Sequence, residues 1–410
     1  MSCVAVTALI EATGKETRKK RRSDGSAVGR DTGAIDPQLS PDGSMVVFVV
    51  GGELYVMSCS EYDIQDFPCT TSASGSNDNS AFGIDTYEGD WSQTRKPTRL
   101  TYGALFSDED ENNESDSDES DVFGEKKKCY GRLITHGLAD FVAQEEMDRY
   151  QGFWWDENSK GIIFIRVDES CVPPYRISHQ GSDGNAGDEA NYEEHRYPFA
   201  GETNPEVSLG YVQIDRDVIL SAASEQECND SSKRLWSKVK WFDAPDGASE
   251  YLARVNWLSE GSACVQWQDR RQSKLLLVKI DVHTGESIIL HREESDVWIN
   301  LHHMFRVLPE PEHPDECLEV CHKDDHSALP EGSFSYIFAS ERTGFCHLYL
   351  YTYVPGDVSA TLLRVISAGK WIVENIVGIN MRKNLIYFTV WVHLIRHWKG
   401  ICMRYQSRTQ

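Results

Sequence analysis

Glu145 and Glu146 stand side by side in GLADFVAQEEMDRYQGFWW, residues 137–155, with Asp148 and Arg149 close behind and apolar or aromatic residues on both flanks. Two adjacent carboxylates repel each other and cost stability unless a cation answers them. A primary ammonium, with three donors to share, fits such a pair well. The ordinary alternative is that both acids face solvent and pair with Arg149, three and four residues further on, as neighbours on a helix do. Composition leaves both readings open.

Other chemistry-bearing residues carry less. Cys317, Cys321, His322 and His326 are of types that zinc accepts. Cys321 and His322 are adjacent, however, and their surroundings are acidic and flanked by proline, so the stretch reads as a polar surface loop and no metal ligand is assigned. The chain has no G-x-S-x-G pentapeptide, the strained elbow that exposes a hydrolase serine. P-loop and G-x-G-x-x-G patterns in a βαβ setting are also missing. No catalytic residue is therefore assigned, and no cofactor is expected.

The elements that would hold the glutamates follow one grammar: a short polar turn with Gly, Asp or Asn, then a run rich in Val, Ile, Phe, Tyr and Trp. It recurs at residues 39–58, 153–170, 255–290, 334–353 and 376–390. Such runs read as strand pairs, and their imperfect repetition predicts an all-β chain built as a β-propeller. Long helical periodicity is nearly absent, apart from a short helix or turn within 141–150. Residues 72–79 and 179–194 read as linkers or loop insertions.

Composition narrows the partners. The formal charge of −24 over 410 residues argues against general binding to nucleic acid or to an anionic membrane. Nine acids and no apolar residue fall within 107–121, a segment expected to be a disordered insertion. The basic cluster Arg18, Lys19, Lys20, Arg21 and Arg22 follows the short apolar run of the N-terminus, the wrong order for a secretory signal. Residues 385–403 are apolar but carry His393, Arg396, His397 and Lys399, so a membrane span is not expected. Eleven scattered cysteines, an odd number, predict a reducing, cytoplasmic setting.

Four blocks in order resemble one family: GLADFVAQEEMDRYQGFWW, RYPFAGETNPEVSLGYV (196–212), ESDVWINLHHMFRVLP (294–309) and YIFASERTGFCHLYLY (336–351). Together they cover about 36–389 and resemble the dipeptidyl peptidase IV family of the prolyl oligopeptidase clan, within it the cytosolic dipeptidyl peptidases 8 and 9. The resemblance implies the N-terminal propeller of a serine-type enzyme that releases X-Pro or X-Ala dipeptides from peptide N-termini. It also implies that Glu145 and Glu146 hold the free α-ammonium of the substrate.

The departures shape the rest of the expectation. In the family, an α/β-hydrolase domain follows the propeller and supplies the Ser, Asp and His of acyl transfer. The expected organisation is a basic tail at 1–35, a propeller at 36–390 that is incomplete, and a divergent tail at 391–410 resembling nothing in the family. A chain ending there is expected to be truncated and inactive alone. Cys346 stands where relatives carry a basic residue, and the resemblance places no substrate-binding arginine securely. The expected partners are peptide N-termini and a full-length homologue. A non-catalytic propeller that binds peptides or proteins, or an unstable truncated product, are the alternatives.

Overall fold

The computed structural model describes residues 34–59, 97–103, 129–178, 192–221, 225–259, 261–308, 329–383, 385–391 and 401–406. The acidic segment 107–121, the basic cluster, the linker 72–79 and the Cys317–His326 group lie outside them. The chain divides into two compact units, Met1–Phe242 and Asp243–Gln410.

In the first unit, β1 (Ile35–Leu39), β2 (Met45–Val50), β3 (Glu53–Ser58) and β4 (Thr98–Arg99) form an antiparallel sheet in chain order. Gly51 and Gly52 make the turn between β2 and β3, both at positive φ, where a side chain would be strained. A second sheet is built from β5 (Ile134–His136), β6 (Phe153–Trp155), β7 (Gly161–Asp168), β10 (Glu206–Gln213) and β11 (Lys240–Phe242). The hairpin of β8 (Pro174–Ser178) and β9 (Tyr192–Arg196) is inserted between β7 and β10. Residues 192–194, expected in a linker, therefore lie in a strand, because pairing with 176–178 gives their backbone groups partners that composition does not reveal.

The two sheets share a core. Met45, Val47, Val49, Leu54 and Val56 pack with Phe153, Trp155, Ile162, Phe164 and Val212. Ile162, Ile163, Phe164 and Ile165 are all fully buried, which is why β7 reads as an unbroken apolar run instead of an alternating one.

The second unit repeats the pattern with β12 (Tyr251–Ser259), β13 (Ser262–Gln268), β14 (Lys274–Asp281) and β15 (Ser287–Glu294) in one sheet. A further sheet holds β16 (Phe305–Val307), β17 (Phe334–Ser340), β18 (His347–Tyr353) and β19 (Thr361–Val365). The last holds β20 (Ile372–Asn380), β21 (Leu385–Trp391) and β22 (Ile401–Gln406). Alternation along β17 and β18 explains how the sheets join. Tyr336, Phe338, Tyr349 and Tyr351 face Leu275, Leu277 and Leu290, while Ile337, Ala339, Leu348 and Leu350 face Val373, Ile376 and Phe388.

The structure is thus all-β in several antiparallel sheets, and every strand pair expected from the turn grammar is present. Two features differ from expectation. Ile401–Gln406, within the segment expected to be a divergent tail, pairs with β21 along its length. Beyond the short element near 141 there are also α2 (Arg216–Ser221) and α3 (Glu225–Trp236). Helix α3 escapes periodicity because most of its residues are polar, with Leu235 and Trp236 gathered at its last turn.

Candidate functional site

Strands β5 and β6 lie one after the other on the same edge of β7. Ile134, Thr135 and His136 pair with Asp168, Val167 and Arg166, and Phe153, Trp154 and Trp155 continue along Phe164, Ile163 and Ile162. They act as one strand interrupted by the excursion 137–152. Its two ends meet at a single β7 residue: Gly137 N–H donates to Ile165 O at 2.8 Å, and Ile165 N–H donates to Gly152 O at 3.0 Å. A bridge between Leu138 and Gln151 closes the neck.

Glycine is required at both ends. Gly137 has φ +75°, and a Cβ there would lie 2.7 Å from the Leu54 side chain; a Cβ on Gly152 would lie 2.2 Å from Gly137 O. The neck also rests on the first sheet. His136 N–H donates to Gly52 O at 2.7 Å. The His136 ring lies buried beside Glu53, its Nδ1 3.1 Å from Oε2. That separation suits an ion pair, but neither ring nitrogen meets hydrogen-bond geometry. Glu53 also takes Arg99 at 2.7 Å and the Thr101 hydroxyl.

At the far end of the excursion is the element that carries the glutamates, α1 (Phe141–Glu145). Asp140 caps it: its backbone is extended and its carboxylate accepts Ala143 N–H at 3.1 Å. Glu146 closes it, its N–H donating to Val142 O. Ala143 and Met147 are buried and anchor the turn. Gln144 Nε2 donates to Ala139 O at 2.6 Å. Asp148 takes a left-handed φ of 51° to reverse the chain.

Glu145 and Glu146 are exposed at the tip, and among the described residues neither side chain has a hydrogen-bond or ion-pair partner. The alternative pairing with Arg149 is not what forms. Arg149 is 5% exposed and turns inward, with Nη2 3.5 Å from Asp140 Oδ1 and Nη1 donating to Gln151 O at 2.9 Å. Its own N–H donates to Ala143 O. Arginine is spent on holding the loop, so the two carboxylates stay side by side without it.

Sequence reasoning missed this bracing. Asp140 directly before an apolar trio is a helix-start signal from which the cap could have been read. Nothing in the sequence separates a buried Arg149 from a solvated one. The spacing of the cysteines also gives no signal for one covalent link: Cys129 and Cys171 are joined. They lie just beyond the β5–β7 pairing, which brings together residues 42 apart in sequence.

A second polar cluster lies in the other unit. Glu293, 8% exposed, accepts from Ser340 Oγ, from Arg342 Nη2 at 3.0 Å, and stands 3.0 Å from His291 Nε2. Arg342 also donates to Tyr351 OH at 2.6 Å and lies 4.3 Å over the Tyr349 ring. Its groups satisfy one another, which fits a brace between β15 and the turn after β17. Cys346 is buried in the apolar core with Ile337 and Leu348, and burial pushes its thiol up to about 12, so it carries no charge at neutral pH. Among the described residues no group of acids, His and Cys is arranged to hold a metal.

Burial alone would raise the Glu293 pKa, but the bonds from His291 and Ser340 and the Arg342 charge outweigh it and hold it below the usual value of 4.5. A carboxylate depressed in the folded state stabilises the fold above its unfolded pKa and loses that contribution as pH falls through the folded value. The unfolding midpoint of the second unit should therefore fall as pH drops below about 4.5. Glu293→Gln should flatten that fall, as read by tryptophan fluorescence across pH 3–7; an unchanged slope would show that Glu293 is not its source.

The fold and site together define an all-β protein of successive antiparallel sheets, one of whose strands opens into a braced loop presenting two carboxylates that are unpaired among the described residues. Residues 128–391 match the family model described as the dipeptidyl peptidase IV (DPP IV) N-terminal region, and the chain belongs to that family. It is 26% identical over 309 residues to dipeptidyl peptidase 8 of Homo sapiens, covering 62% of this chain and 30% of that protein. With the probable dipeptidyl-aminopeptidase B of Phaeosphaeria nodorum it shares 26% over 274 residues, 63% of this chain and 26% of that protein. The crystal structure of Porphyromonas gingivalis dipeptidyl peptidase 4 superposes with a TM-score of 0.52 at 18% identity, over 89% of this chain and 36% of that one. The chain thus spans about a third or less of the length of these relatives. The match ends at 391.

Proposed function

We propose that this chain is the β-propeller portion of a cytoplasmic serine-type dipeptidyl peptidase, its sheets the blades, and that Glu145 and Glu146 hold the α-ammonium of a peptide. The observation that carries the reading is the pair of exposed carboxylates, unpartnered among the described residues, on a loop fixed at neck and tip. An ammonium bridging both relieves their repulsion and forms charge-assisted hydrogen bonds. Anchoring the first residue of a peptide sets a register from its N-terminus, which is what release of an X-Pro or X-Ala dipeptide requires. With no G-x-S-x-G in these 410 residues, the role assigned to them is recognition of the peptide end, not cleavage.

The test compares the tripeptide Ala-Pro-Ala with its N-acetylated form by calorimetric titration. The free amine should bind the full chain at least about tenfold more tightly, the worth of one charged hydrogen bond. Glu145→Gln with Glu146→Gln should remove that preference while leaving the unfolding midpoint within about 0.5 kcal/mol of the parent, because both side chains are exposed. Binding should also weaken above about pH 8, as the α-amino group loses its proton. Equal affinity for the acetylated peptide would end this reading.

A further inference from the structure

We propose that Cys129 and Cys171 form a reversible redox site that governs the order of the loop carrying Glu145 and Glu146. Their bond encloses the segment made of β5, the excursion 137–152 with α1, β6 and β7, so every residue of the carboxylate loop lies inside the covalent ring. Cys129 is exposed and Cys171 half-buried, which leaves the bond open to a small thiol.

Two routes connect it to α1. The first runs along the backbone: Tyr130 N–H donates to Ser170 O and Glu169 N–H to Leu133 O, extending the short β5–β7 ladder from the neck at Ile165 to the cysteines. With only three residue pairs in β5 itself, this ladder frays readily without a staple at its end. The second runs through Arg196, whose guanidinium donates to Val172 O at 3.1 Å and to Tyr130 O at 2.9 Å, joining both cysteine-bearing segments. Tyr197, next in the chain, packs edge-to-face on Phe141, the first residue of α1, at 5.2 Å.

The chemistry is thiol–disulfide exchange. A thiolate of an external dithiol attacks one sulfur, the Cys129–Cys171 bond breaks, and the second thiol of the reagent closes on the first. Two electrons and two protons pass to the protein, leaving Cys129 and Cys171 as thiols and the reagent as a cyclic disulfide. Buried Cys264 and Cys346 are poor competitors, since burial disfavours their thiolates. Opening the ring returns closure entropy to locally unfolded states, and the loop inside it exchanges more often with them. Peptide binding as the regulated output rests on the function proposed above; the response of the loop does not.

Hydrogen exchange on the full chain tests this, with protein oxidised by cyclic dithiothreitol, protein reduced by dithiothreitol, and Cys129→Ser and Cys171→Ser variants. Segments covering 137–152 should exchange about tenfold faster or more in the reduced protein and in both variants, and reductant should add nothing further to the variants. Segments covering β17 and β18 should not change. Equal exchange in oxidised and reduced protein overturns the proposal, as does recovery of Cys129 and Cys171 as free thiols after oxidation, read by alkylation and peptide mass. A rise spread evenly over β2 and β3 overturns it too, because the effect would then be loss of the whole unit. If the loop responds but Ala-Pro-Ala binds in neither state, the redox site stands and the ammonium clamp falls.

Discussion

Replacing Arg149 with methionine is expected to destabilise the first unit by about 3 kcal/mol, the low end of the cost of removing one partner of a buried ion pair. The pair is buried on both sides, at 4% and 7% side-chain exposure. Methionine keeps much of the packing volume, so the loss comes from leaving the Asp140 charge without its guanidinium and Gln151 O without a donor. Asp140 keeps the Ala143 N–H, which is why the low end applies. Asp140→Asn should recover part of the loss in the Arg149→Met background by removing the stranded charge. Chemical denaturation of the four proteins of that cycle gives the coupling; a coupling near zero would mean that Arg149 does not hold the cap. If its effect instead ran through direct pairing with the glutamates, Glu145→Gln and Glu146→Gln would show the coupling in place of Asp140.

Gly152→Ala should cost about 1–3 kcal/mol or more, the range for forcing extra volume into a packed site. The added methyl would meet Gly137 O at 2.2 Å and Leu138 N at 2.6 Å, and backbone cannot swing aside as a side chain can. Relief requires the neck to part, which breaks one or both of the bonds that meet at Ile165. The consequence reaches the tip. A widened neck frees α1 from the edge of β7, so affinity for a free peptide N-terminus should drop together with the unfolding midpoint. Gly378→Ala is the control: like Gly152 it is not at positive φ, but no heavy atom lies within 4 Å of its Cβ position, so it reports an added methyl without the clash. Equal midpoints for the two variants would show that the neck tolerates the methyl.

Much of the fold was legible because it is local. A polar turn followed by a β-branched or aromatic run reports its own strand, and pairing with the next run follows from short connections. The hairpin of β2 and β3, the strand runs of β12 to β15 and the pair β17 and β18 were all read in this way. Helix α3 was not, since a polar sequence with two apolar residues at one end has no stripe to detect. The pairing of 401–406 with β21 was hidden by a segment with no resemblance to guide it. Strand pairing asks only for free backbone groups on an edge, and many sequences supply them.

The site divides along the same line. Glu145 and Glu146 were visible because two like charges amid apolar residues are a local anomaly, and Phe141, Ala143 and Met147 mark the element beneath them. What composition left open was where Arg149 points, and that depends on Asp140, Ala143, Gln151 and the depth at which the turn packs. The same holds for Cys129 and Cys171, which the antiparallel register of β5 on β7 brings together. Residue type and spacing by themselves determined an all-β chain with two adjacent carboxylates on a short helical turn. Tertiary structure alone decided that those carboxylates lack their nearest cation and that a neck of two glycines holds them out. Charge and hydropathy are properties of single residues, whereas burial, register and ion-pair choice are set by what the rest of the chain brings alongside.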